Sequence, residues 1–203
     1  DYNRYFKYYE HRDMLGAFEA IDRVEVRFAE CFSRAYTGPV EAVNCDDAEA
    51  VLVTLGSIAG LARESLARLR KQGKRVGLLR IRYMRPFPAK LIAEALAGAA
   101  AVGVLEKDIS FGAEGTVFTN VNSALQQAGC TTPTFNFIGG LGGDDITSAQ
   151  MDAMFDALLD SAGERGRDDA AAGRSCDDAS TGQGAGLGRV SFLGIDFPVA
   201  DQP

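Results

Sequence analysis

The 203-residue chain has no tryptophan and one histidine, His11. A triad or an imidazole-rich metal site would have to rest on that one ring near the terminus, so His11 is read as a surface position on a helix. Cysteine is sparse and dispersed: Cys31, Cys45, Cys130 and Cys176 make no close pair. Zinc and iron–sulfur sites usually draw on cysteines roughly two to four residues apart, so neither a metal site nor a cluster is expected in this chain. No apolar run reaches the roughly 18 residues of a membrane span, and Asp1 to Glu10 lacks the charged-then-apolar layout of a signal peptide. The expectation is a cytoplasmic protein without membrane contact. Basic residues number 21 against 28 acidic ones, a net charge of −7 that repels phosphate on average and argues against a nucleic-acid partner. Neither a complete Gly-x-Gly-x-x-Gly fingerprint nor a Walker phosphate loop occurs. The chain opens on Asp1 rather than Met, and further chain is expected to precede it.

The residues present are those of a globular protein, 46% apolar and 24% charged, which suffices for a sizeable core. Met14, Phe18, Ile21, Val24, Phe28 and Phe32 recur every three or four residues and predict a long helix from about Tyr8 to Ala35, with an apolar face that needs a surface to pack on. Gly38 and Pro39 end it, and Val40 to Val43 reads as a short strand. From Ala50 short apolar runs alternate with helical patterns, the signature of parallel strands joined by crossover helices. Strands are expected at Val51–Leu55, Val76–Ile81, Ala101–Leu105 and Thr134–Ile138, and helices at Ser57–Gln72, Pro88–Leu96, Glu114–Ala128 and Ser148–Leu159. Gly129 suits a left-handed cap, and Thr147 with Gln150 forms a capping box before the stripe Met151, Met154, Phe155, Leu158 and Leu159.

The fold class is therefore α/β, a three-layer α/β/α sandwich on a mostly parallel sheet of about five strands, with a long N-terminal helix and a flexible C-terminal tail. Residues 1–39 form the helical segment, 40–160 the α/β domain, and 161–203 a linker and tail poor in large apolar side chains. Within that tail, Val190 to Phe197 is apolar again and is expected to dock as an edge strand or onto a partner.

In an open parallel sheet, ligands and partners meet the crevice at the carboxyl ends of the strands, which directs attention to four loops. In Gly56-Ser57-Ile58-Ala59-Gly60 the serine reads as a helix cap and Gly60 as a close-packing position, although the emerging helix amides also suit an anion. Arg80, Arg82 and Arg85 lead into Pro86-Phe87-Pro88, a stiff turn whose guanidiniums suit carboxylates of a partner or, less well, a small anion. In the loop from Glu106 to Gly115, Glu106 and Asp108 read as solvated carboxylates rather than as an acid and base pair. The run Gly139-Gly140-Leu141-Gly142-Gly143-Asp144-Asp145 permits close backbone approach, but its carboxylates would repel phosphate, which favours a tight loop against another domain.

Taken together, Val51-Leu52-Val53-Thr54-Leu55-Gly56-Ser57, Arg85-Pro86-Phe87-Pro88, Ser110-Phe111-Gly112 and Phe137-Ile138-Gly139-Gly140-Leu141-Gly142-Gly143-Asp144-Asp145-Ile146 resemble the C-terminal transketolase-like domain (domain II) of the alpha subunit of pyruvate (2-oxoacid):ferredoxin oxidoreductases. The likeness spans about Tyr8 to Leu159. It implies a complete enzyme that oxidatively decarboxylates a 2-oxoacid, pyruvate in the first instance, on thiamine diphosphate with magnesium, passes electrons through iron–sulfur clusters to ferredoxin, and transfers the acyl group to coenzyme A. This chain lacks the Gly-Asp-Gly and Asn motif for the diphosphate and any cysteine framework, so those groups are expected in other domains or subunits, and no residue here is assigned a catalytic role. The expected interface comprises Arg82, Arg85, Pro86, Phe87, Gly140, Gly142, Gly143 and Asp144. Asp144 stands where the family pattern leads one to expect Arg. The rival readings are an independent nucleotide- or coenzyme A-binding module using Ser57, Gly60 and Arg85, and a fragment of another thiamine-dependent transketolase-like enzyme.

Overall fold

The computed structural model describes residues 2–36, 38–172 and 190–194, residues 165–172 by their backbone alone. The elements run α1 (Tyr2–Phe32), β1 (Val40–Val43), β2 (Ala50–Leu55), α2 (Ala59–Lys71), β3 (Val76–Ile81), α3 (Ala89–Leu96), β4 (Ala101–Glu106), α4 (Thr116–Gln127), β5 (Thr134–Ile138), α5 (Ser148–Ala172) and β6 (Val190–Phe192). Short 3₁₀ turns at Gly56–Ile58 and Leu141–Gly143 precede α2 and α5. The strands form one six-stranded sheet in the order β1-β3-β2-β4-β5-β6. Only β1 is antiparallel, its Glu41 facing Arg80 of β3.

Alternation along the central strands builds the layers. In β2, Val51 and Val53 join Ile92 and Leu96 of α3 and Phe118 and Val121 of α4 in one core. Leu52 faces the other way, onto Leu66 and Leu69 of α2 and Met151, Phe155 and Leu158 of α5. Both faces are covered, which is why β2 and β4 read as near-continuous apolar runs, broken only by Thr54 and by Glu106 at the end of β4. Gly103 of β4 is a packing requirement, since a Cβ there would lie 2.7 Å from Leu158 Cδ1 and 2.8 Å from Phe137 Cε2. The strand expected near Val190 pairs in parallel with β5, Asn136 opposite Val190 and Ile138 opposite Phe192. It is the sixth strand of a sheet expected to have about five. The remainder of the expected tail, 173–189 and 195–203, lies outside the described residues.

Two expectations are corrected. The last long helix does not stop at Leu159 but runs to Ala172, because the tail begins with helix-forming Ala, Glu and Arg and meets no proline. Helix α1 starts earlier than the periodicity suggests and buries none of its residues; Met14, Val24 and Phe32 of its apolar stripe are exposed. Its C-terminal end touches the body through Glu25, whose Oε2 accepts the Gly38 N–H at 2.9 Å, and Phe28, whose ring centroid lies 5.6 Å from that of Tyr36.

The chain runs β2-α2-β3 toward one edge, then returns across β2 to begin β4-α4-β5 toward the other. The strand order reverses between β2 and β4. The crevice outside their carboxyl ends, between the turn at Gly56 and the loop after Glu106, is the place where this architecture offers a binding surface.

Candidate functional site

The site is assembled from the four loops at the carboxyl edge. After β2, Gly56 takes a left-handed conformation (φ +78°) and the chain makes its 3₁₀ turn before α2. Ser57 is exposed and makes no cap hydrogen bond, contrary to expectation, because the inserted turn moves the start of α2 to Ala59 and uses the Ser57 carbonyl instead. Gly60 does not serve close packing either, since a Cβ there would meet nothing within 4 Å.

The arginine loop divides into two parts. Arg80 and Arg82 point to the same side as Glu41, whose Oε2 lies 3.7 Å and 3.8 Å from them and 2.8 Å from Arg63 of α2. Three guanidiniums thus share one carboxylate. Arg82 is further fixed over the Tyr36 ring, at 5.4 Å from its centroid. The Nε atoms of Arg80 and Arg82 and the Tyr83 hydroxyl are buried without a hydrogen-bond partner among the described residues. Arg85 stands apart, exposed, donating to the Met84 carbonyl at 2.6 Å and lying over the Phe87 ring. Pro86 and Pro88 are buried, and Phe87 and Met84 pack against the core below, which holds the loop in place. Pro88 is the N-cap of α3.

The loop after β4 departs most from expectation. Glu106 is not solvated; only 4% of it is exposed. Its Oε2 accepts the Val117 N–H at 2.7 Å, and Oε1 accepts Phe118 N–H at 3.1 Å and Asn136 Nδ2 at 2.8 Å. Asn136, fully buried, accepts the Gly115 N–H at 2.8 Å. The first amides of α4, which carry the positive end of the helix dipole, are satisfied by a carboxylate from a strand rather than by a local cap. Burial pushes the Glu106 carboxyl above the ordinary glutamate range, opposed by the Val117, Phe118 and Asn136 donors and reinforced by Asp108. A Cβ at Gly115 would collide with the Glu106 carboxylate, so this glycine leaves the space in which Glu106 sits.

The glycine loop after β5 uses left-handed Gly140, Gly142 and Gly143 (φ +72°, +65° and +89°). Gly139 is covered by Leu193 and Ile146, and Gly140 by Lys107, whereas Gly142, Gly143, Asp144 and Asp145 are exposed. The capping box forms as expected, Gln150 N–H to Thr147 Oγ1 at 3.2 Å and Thr147 N–H to Gln150 Oε1 at 2.8 Å.

Strand pairing sets Leu55, two residues before Ser57, opposite Ile81 of the arginine strand, and Lys107 lies against Gly140 of the glycine loop, while Arg85 remains separate from the cluster on Glu41. Glu41 and Asn136 escape a reading of the sequence because each acts through strand pairing. No group of three or more His, Cys, Asp or Glu residues is arranged to hold a metal ion among the described residues. The carboxylate oxygens of Glu106 are already occupied by N–H donors. The described residues at this edge do not fit a magnesium diphosphate or a cluster.

The described residues form an open α/β sheet with helices packed on both faces, and the comparisons assign its family. Residues 48–151 match the family described as pyruvate:ferredoxin oxidoreductase core domain II, and the chain belongs to that family. Pyruvate synthase subunit PorA of Methanothermobacter thermautotrophicus is 40% identical over 154 residues, covering 76% of this chain and 39% of the relative. Ketoisovalerate oxidoreductase subunit VorA of Pyrococcus abyssi is 37% identical over 152 residues, covering 72% and 38%. Among solved structures, the 2-oxoglutarate:ferredoxin oxidoreductase from Magnetococcus marinus aligns with a TM-score of 0.46 and 18% identity over 67% of this chain and 21% of that one. The chain thus spans well under half the length of these relatives. No helix among the described residues is long and apolar enough to cross a membrane.

Proposed function

We propose that this chain is an assembly domain of a 2-oxoacid:ferredoxin oxidoreductase, which holds catalytic parts contributed by neighbouring domains or subunits and supplies no nucleophile or proton donor itself. The observation that carries this reading is Glu106. Family membership supplies the reaction class, and the one buried carboxylate among the described residues is spent on capping α4. A general acid or base needs a free oxygen within reach of substrate, and Glu106 has both oxygens committed to the fold. In this reading thiamine diphosphate, magnesium and the iron–sulfur clusters reside elsewhere in the enzyme, coenzyme A is its cosubstrate, ferredoxin takes the electrons, and the location is cytoplasmic. Residues 40–160, together with the continuation of α5 and the edge strand β6, act as the docking unit, and 1–39 as a helical arm.

The contact surface is the carboxyl edge. Arg85, Gly142, Gly143 and Asp144 present themselves outward; Arg82, Pro86, Phe87 and Gly140 fix the shape of the loops that carry them. Positioning of reacting groups by such a scaffold contributes through orientation rather than bond making. Titration calorimetry of the full chain with magnesium and thiamine diphosphate is expected to give no saturable heat. Micromolar binding would overturn the reading. Titration with coenzyme A tests the rival role of Ser57, Gly60 and Arg85, for saturable binding abolished by Arg85→Ala would replace assembly by ligand capture at this edge.

A further inference from the structure

Glu41 gathers more positive charge than it can neutralise. Its carboxylate comes from β1, Arg80 and Arg82 from β3 and the residues just after it, and Arg63 from α2, so three elements hold the four side chains together. Arg63 alone is in close contact, its Nη2 2.8 Å from Glu41 Oε2. Arg80 Nη1 and Arg82 Nη2 stand at 3.7 Å and 3.8 Å, beyond hydrogen-bonding distance, so the carboxylate attracts them without taking up their donors. Those donors find little else. Arg82 Nη1 reaches the Gly38 carbonyl at 3.5 Å, and the Nε atoms of both arginines are buried with no hydrogen-bond partner among the described residues. The acidic residues of α1 act elsewhere. Glu25 accepts the Gly38 N–H, and burial, followed by the charges of Glu25 and Asp22, pushes the Tyr83 hydroxyl above its ordinary range.

We propose that Arg63 and Arg80, supported by Arg82, bind a phosphate dianion. Three guanidiniums around one carboxylate leave two positive charges unmatched within the cluster, which a dianion neutralises and a second carboxylate does not. Phosphate also carries enough oxygens to accept from several guanidinium forks at once. Arg63 and Arg80 keep 47% and 35% of their side chains exposed and can turn to meet such an ion, whereas Arg82, at 15% and lying over the Tyr36 ring, is fixed in place. Glu41 already supplies the single carboxylate that an arginine run of this kind suits. The chain's net charge of −7 disfavours an extended polyanion, whose further phosphates would face the acidic remainder of the surface, but acts weakly on one small ion in contact with guanidiniums. The inference is independent of the assembly reading, which needs no ligand at this cluster.

The test is a titration of the full chain with inorganic phosphate at constant ionic strength and pH about 7.5, where the dianion predominates, read from the arginine Nε–H resonances in nitrogen-resolved NMR spectra. Burial of the Arg80 and Arg82 Nε atoms shields their protons from exchange and keeps these signals observable. Both are expected to shift together and to saturate with a dissociation constant of about 1 mM, as suits a partly solvated site. Arg80→Ala, followed through the Arg82 signal, is expected to weaken binding at least about tenfold, and Arg80→Lys by less, because the charge remains when the fork is lost. Glu41→Gln removes the competing carboxylate and is expected to tighten binding about tenfold. Phenyl phosphate distinguishes the source of the ion: tighter binding than inorganic phosphate assigns the site to a phosphate ester, and equal or weaker binding assigns it to the free ion. Absence of a saturable shift up to about 20 mM phosphate overturns the site. Affinity unchanged in both Arg63→Ala and Arg80→Ala, the mark of an adventitious ion only, overturns it as well, and either result leaves the assembly reading in place.

Discussion

Glu106→Gln isolates a conflict between burial and hydrogen bonding that can be measured as a function of pH. The native carboxylate receives three N–H donors, from Val117, Phe118 and Asn136, at 2.7–3.1 Å in a site that is 4% exposed. Removing the acceptor entirely, as in Glu106→Ala, strands those donors at about 1–3 kcal/mol each and opens a void beside Gly115; with partial relaxation the total is expected at about 3–5 kcal/mol. Glu106→Gln keeps the shape and one acceptor but turns an N–H₂ toward an amide, and is expected to cost about 1–3 kcal/mol near neutral pH. The sign of the pH dependence follows from the raised carboxyl of the folded state. Between the unfolded and folded values the native protein binds more protons than the unfolded chain, so stability from this group is complete below the ordinary glutamate value and declines as pH rises through the folded one. The wild-type advantage over Glu106→Gln is therefore expected to shrink from acid toward neutral pH, read from urea melts of both proteins at matched pH. An advantage that grows across that window would show that the helix amides stabilise the anion by more than burial penalises it, and would refute the assignment of desolvation as the larger effect.

Gly115→Ala is expected to destabilise by at least about 2 kcal/mol, since its methyl would occupy the Glu106 carboxylate site, and a thermal melt checks it. Gly103→Ala, pressed against Leu158 and Phe137, is expected to lose about 1–3 kcal/mol by the same assay. Gly60→Ala should do the opposite: with open space around it inside α2 it is expected to gain up to about 1 kcal/mol, and a loss would restore a packing role to this glycine. Arg85→Ala, on an exposed side chain that donates to the neighbouring Met84 carbonyl and rests on Phe87, is expected to stay within about 0.5 kcal/mol in stability while weakening assembly. Equal loss in both would mark it as a structural residue.

The layered fold was legible because its signals are local. Val51 to Leu55, apart from the buried Thr54, and Ala101 to Leu105 are apolar on both faces, as suits strands buried under two helical layers, and Met151, Met154, Phe155 and Leu158 fall on one helical stripe behind a capping box. The site was less legible because its decisive contacts cross the sheet. Glu106 sits among polar loop residues, and only the β4–β5 pairing brings Asn136 to it and α4 over it. A faint signal was present: α4 follows Gly115 with no side-chain cap, so its amides needed an acceptor from elsewhere. Glu41 likewise gains its meaning from facing Arg80 across an antiparallel pair that a four-residue strand does not announce. The apolar face of α1 was read correctly as a helix, but periodicity reports that a face exists and not what covers it. The end of α5 was misplaced because scarcity of large apolar residues argues against a core without arguing against a helix.

Adding the purified full chain back to the remaining subunits of its enzyme, and following 2-oxoacid-dependent reduction of ferredoxin, tests the assembly role most directly. Activity is expected to be absent from either component alone, to appear on mixing, and to saturate at a fixed ratio of chains. Equal activity with and without this chain, or turnover by this chain by itself, would contradict the account.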